Sequence, residues 1–118
     1  MQETTFEKYN KLACDCLIQH GIKDAWINEN MSKKLVDWFE CAFPEKISDT
    51  RIDVLYFIEN VERYITGRWM FRWDAQRVKA GYACGLLAFR DVRDYAKHNG
   101  YKNDFLADTF MLNGFEGL

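Results

Sequence analysis

A chain of 118 residues, 48% hydrophobic and 29% charged, is the length of one folded domain and too apolar for disorder. Sixteen basic against eighteen acidic residues leave a net charge of −2, without the global positive field that drives non-specific binding to phosphate backbones. The first twenty residues carry Glu3, Glu7 and Asp15 and no basic lead-in to a long apolar run, and the longest charge-free run, Ala80 to Phe89, is too short for a bilayer core of ~30 Å, so neither a secretory leader nor a membrane span is expected.

Pro44 and seven glycines are the main punctuation, and between them apolar residues recur at spacings of three and four, the signature of helices. The first helix is predicted from Thr5 to His20: Thr4 and Glu7 have capping-box spacing, and Gly21 stands where a helix C′ residue belongs. Its apolar stripe is Phe6, Tyr9, Ala13, Cys16, Leu17 and His20. The second is predicted to start between Asn28 and Ser32 and to end before Pro44, with Met31, Leu35, Trp38, Phe39 and Ala42 on its inner face. A third follows Ser48 or Asp49 and reaches Thr66, stopped by Gly67, with Val54, Phe57, Ile58, Val61 and Ile65 on one stripe. Ile52, Leu55 and Tyr56 lie on the opposite side, where a neighbouring helix is expected to cover them.

From Phe71 onward, Phe71, Ala75, Val78, Tyr82, Gly85, Phe89, Val92 and Ala96 alternate by four and three without interruption, which predicts one helical seam. The segment Ala80 to Phe89 is small or apolar on every side, as in a helix surrounded by protein. A last helix is predicted from Asn103 or Asp104 to about Asn113. The expected fold is therefore all-α, a compact bundle of about five helices around a central apolar helix at residues 70–98, forming a single helical domain over residues 1–118. A short strand over Trp69 to Trp73 is the alternative to helix there.

Five residues fall off the seam: Arg68, Trp69, Arg72, Trp73 and Arg77, in a stretch where four basic residues face the single acid Asp74. Arg and Trp are enriched at interface hot spots, so the five form the candidate partner-binding patch. The competing reading has the two rings roofing the core with the arginines laid over them.

Catalytic and metal signatures are thin. Cys16 and His20, four apart, suit two metal ligands, but Cys41, Cys84 and His98 stand in no second paired motif, so no metal and no cofactor is expected. Glu59 with Glu62, and Asp94 with His98, read as exposed helix charges. No glycine-rich phosphate loop or nucleophile elbow is present, so the chain is not expected to be an enzyme. The isolated cysteines and the lack of a leader point to a reducing, cytoplasmic setting.

The expected function is thus a small non-catalytic protein-binding module: an inhibitor, immunity-type or adaptor protein that occludes a partner, a character shared by small inhibitors of phages and mobile elements. The alternatives are nucleic-acid binding through Arg68 to Lys79, and a structural homodimer.

Overall fold

The computed structural model describes residues 4–43 and 50–101. Among them are the helices α1 (Thr5–Gln19), α2 (Ala25–Ala42), α3 (Arg51–Ile65), α4 (Trp69–Arg72), α5 (Ala75–Ala83) and α6 (Phe89–Asn99), with no strand, so the all-α class is observed. No helix among the described residues is long and apolar enough to cross a membrane. The chain divides into two compact units, Met1–Trp73 and Asp74–Leu118. The helix expected after Asn103 lies outside the described residues.

In the first unit, α1 is bounded as its sequence dictates. The Thr4 hydroxyl accepts the Glu7 N–H at 3.1 Å. At the other end Ile22 N–H reaches back to the Leu17 carbonyl at 2.9 Å and Gly21 N–H to Ile18 at 3.0 Å, a Schellman closure that Gly21 permits by adopting φ 91°. Tyr9, Ala13, Cys16 and Leu17 are buried as expected, whereas Phe6 and His20 at the stripe's two ends are exposed.

Helix α2 begins earlier than the Asn28–Ser32 window, because Asp24 takes the cap and accepts the Ile27 N–H at 3.0 Å. Asn28 and Ser32 are buried instead. The Asn28 amide donates to the carbonyls of Cys14 and Ile22, both at 3.1 Å, and the Ser32 hydroxyl donates to Glu29 at 3.0 Å. The residues read as caps therefore satisfy their polar groups inside the α1–α2 hairpin. Helix α3 is capped by Thr50, which accepts the Asp53 N–H at 3.3 Å.

Tyr9, Phe39 and Phe57, one from each of these helices, form the centre of the core with ring centroids 4.9 to 5.9 Å apart. Such pairs contribute ~0.5–1.5 kcal/mol each beyond the area they bury. Among the described residues, the cover expected over α3's second apolar side is found at Tyr56, whose ring meets Phe43 edge-on at 5.1 Å. Ile52 and Leu55 are 76% and 54% exposed.

The continuous central helix expected over residues 70–98 is not formed. Three helices, α4, α5 and α6, take its place, and two backbone devices explain the breaks. Asp74 is extended at φ −83°, ψ 177°, and accepts the Arg77 N–H at 3.0 Å, which starts a new helix after Trp73. Gly85 then turns to φ 79°, with Leu86 N–H donating to the Gly81 carbonyl at 2.8 Å and Gly85 N–H to Tyr82 at 3.1 Å. Ala88 N–H donates to the Asp91 carboxylate at 2.8 Å and opens α6. In this second unit Val78, Gly81, Leu86, Leu87, Val92, Tyr95 and Ala96 are buried, while Gly85 and Phe89 of the expected seam are exposed. The Arg90–Asp94 pair is present but loose, at 4.0 Å, and contributes little.

Gly85 therefore matters for its left-handed backbone and not as a close helix crossing. Gly85→Ala is expected to cost ~1–2 kcal/mol, the penalty of a Cβ at positive φ, and Gly85→Leu about the same because the site is exposed. Urea unfolding of both variants checks this, and a Leu cost far above the Ala cost would restore the buried-crossing reading.

Candidate functional site

The short helix α4 divides the predicted patch between two adjacent rows of its surface. Trp69 and Trp73 form one row, Arg68 and Arg72 the next, about 100° round the axis. The tryptophan row is inside: Trp69 is 6% exposed and Trp73 4%. Trp73 stacks on Trp38 with centroids 4.2 Å apart and planes at 16°, and its indole N–H donates to the Asn60 side-chain oxygen at 3.0 Å. The Asn60 amide in turn donates to the Tyr56 carbonyl at 2.9 Å. The rings thus belong to the core, and neither is available for outside contact.

Phe71 corrects the expectation in the opposite sense. Placed on the seam by its spacing, it is 65% exposed, because the break at Asp74 frees α4 from the phase of α5 and the larger indoles take the inner positions. Arg77 belongs to the second unit, where its guanidinium pairs with Asp74 one turn away.

Arg68 and Arg72 face a cleft of about 340 Å³ lined also by Glu59, Glu62, Arg63 and Thr66. Arg63 and Glu59 are paired across one turn of α3 at 2.6 Å. Arg68 and Arg72 form no ion pair among the described residues. Among the described residues, the cleft therefore carries two guanidinium groups and one carboxylate, Glu62, that are committed to no ion pair.

Glu62 also meets α1. Its carboxylate, the Cys16 thiol and the His20 imidazole present donor atoms that all lie within 4.8 Å of one another. Cys16 is buried, while His20 and Glu62 are exposed. Burial first, and the nearby Glu62 charge second, push the Cys16 thiol above its ordinary range. Cys14, Cys41 and Cys84 are likewise free thiols, and none of them joins the group.

Asn60 and Glu62 are the residues that the sequence did not single out in these roles. Asn60 carried a signal, since it is a polar residue three after Phe57 and one before Val61, on the buried side of α3. Comparison of the chain with protein-family models, with curated proteins and with solved structures finds no match in any of the three.

Two substitutions test the anchoring of α4. Asn60→Leu removes the acceptor of a buried indole N–H and is expected to cost at least ~1–3 kcal/mol, and Trp73→Ala ~3–5 kcal/mol. Chemical denaturation reads both, and a Trp73→Ala variant of unchanged midpoint would show that the ring is dispensable to the core.

Proposed function

We propose that this chain is a small, non-catalytic, cytoplasmic binding module that occludes a protein partner, as an inhibitor, immunity-type or adaptor protein does, through Arg68, Phe71 and Arg72. The observation that carries the reading is the pair of uncommitted arginines at the cleft, held on a turn whose other row is locked into the core by Trp69 and Trp73. A guanidinium on a fixed support loses less freedom on binding than one on a mobile loop, and an exposed ring between two such groups adds apolar contact. The partner suited to this face offers carboxylates to Arg68 and Arg72 and an apolar hollow to Phe71. Four free cysteines fit a reducing compartment.

Nucleic acid is the less favoured partner, because the rings that would stack on bases, Trp69 and Trp73, are buried. A homodimer through the exposed Ile52 and Leu55 is the remaining alternative, and sedimentation at two concentrations separates it from a monomer.

The test pairs affinity with stability. Arg72→Glu and Phe71→Ala are expected to leave the melting temperature within a few degrees, as exposed positions do, while weakening the partner complex by ~2 kcal/mol or more. Partners are recovered from the native host on the wild-type chain and on each variant, identified by mass spectrometry, and titrated. Retention of the same partners at the same affinity by both variants would remove the face from consideration. Binding of single- or double-stranded oligonucleotides that falls steeply with salt would move the nucleic-acid reading ahead.

A further inference from the structure

We infer that Cys16, His20 and Glu62 form a binding site for a divalent transition-metal ion of the zinc type, a site that clips the C-terminal end of α1 to α3. The inference is independent of the partner-binding reading. Cys16 in the last turn of α1 and His20, the residue that caps it, are four apart, and the packing of α1 on α3 brings Glu62 to them from more than forty positions along the chain. Among the described residues this is the one group of three such donors within that distance of each other.

The donor set selects the ion. A thiolate, an imidazole and a carboxylate form a borderline set that suits Zn²⁺ or Co²⁺; all-oxygen sites suit Mg²⁺ and Ca²⁺, and sulfur-rich sites suit Cu⁺. Tetrahedral zinc, with bonds of 2.0–2.3 Å, sets its ligand atoms roughly 3.3–3.6 Å apart. Donors spread over at most 4.8 Å need to close by about 1 Å, and the two exposed side chains, His20 and Glu62, have the freedom to do it around the buried Cys16.

Two further observations bear on the site. Neither the His20 ring nor the Glu62 carboxylate is engaged in a hydrogen bond or ion pair among the described residues, although three arginines line the cleft that Glu62 shares. One divalent ion would balance the charges of a thiolate and a carboxylate held this close together. Three protein ligands leave the fourth tetrahedral position to water or to a ligand group.

The experiment uses the full chain, stripped with a chelator and desalted. Calorimetric titration with Zn²⁺ is expected to show one saturable site per chain, and Co²⁺ to give tetrahedral visible bands with a thiolate-to-cobalt charge-transfer band. His20→Ala and Glu62→Gln, both exposed and so expected to fold, should each weaken Zn²⁺ by at least about tenfold. Cys16→Ser should abolish the charge-transfer band, and Cys41→Ser should retain it. Absence of saturable Zn²⁺ binding overturns the inference. So does wild-type affinity in both His20→Ala and Glu62→Gln, or a band lost in Cys41→Ser and kept in Cys16→Ser. If Cys16→Ser fails to fold by circular dichroism, the other two variants decide the matter alone.

Discussion

A buried indole has to place its N–H, and for Trp73 the acceptor is a single side-chain oxygen, that of Asn60. That hydrogen bond settles where the chain goes after α3. Trp73 lies against Trp38 of α2 while bonded to α3, so one ring ties three segments together, and Trp69 packs beside it at 5.7 Å. Because the two indoles sit four residues apart, the turn between them has one possible orientation, with Arg68, Phe71 and Arg72 away from the core. The exposed face follows from the buried one.

The same economy governs the other polar groups inside this unit. Asn28, Ser32 and Asn60 are its buried polar residues among those described, and each has partners within the chain. An aromatic pair adds ~0.5–1.5 kcal/mol, whereas a stranded buried donor costs ~1–3 kcal/mol, so misplacing any of these polar side chains outweighs a favourable ring contact. The rings supply the bulk of the attraction, and the polar residues exclude alternative packings of the same rings.

Local rules were legible in the sequence wherever one residue decides the outcome. Thr4 and Gly21 bound α1 as their chemistry requires, and the buried cores of α1, α2 and α3 match the apolar stripes at Tyr9, Leu17, Leu35, Trp38, Phe39, Phe57 and Val61. Periodicity misled over 70–98, because Phe71, Ala75, Val78, Val92 and Ala96 keep helical spacing in the sequence across two breaks and so hide them. The breaks rest on Asp74 and Gly85, one of which also reads as an ordinary surface acid and the other as a small packing residue. In the candidate site, the composition of the stretch leaves two readings open for Trp69 and Trp73, partner contact or a roof over the core, and the burial of both rings agrees with the second while Arg68 and Arg72 are exposed. Glu62 could not be placed by spacing at all, since its meeting with Cys16 and His20 is made by packing between helices distant in sequence.

Glu62 lines the cleft and also completes the donor group, so the two proposed sites, each argued on its own observations, share one carboxylate. With its charge free, Glu62 partly offsets Arg68 and Arg72. With its charge committed to a divalent ion, the cleft holds the Arg63–Glu59 pair, which cancels internally, and two guanidinium groups with no carboxylate of their own. A carboxylate-bearing partner would then meet a more positive face, and association with it would strengthen with metal bound. Linkage makes the effect mutual: whatever factor the ion adds to the affinity for such a partner, the partner adds to the affinity for the ion. The small α1–α3 contact around Cys16 would in that case regulate the neighbouring arginines through charge, without any movement of α4 or of the tryptophans that hold it.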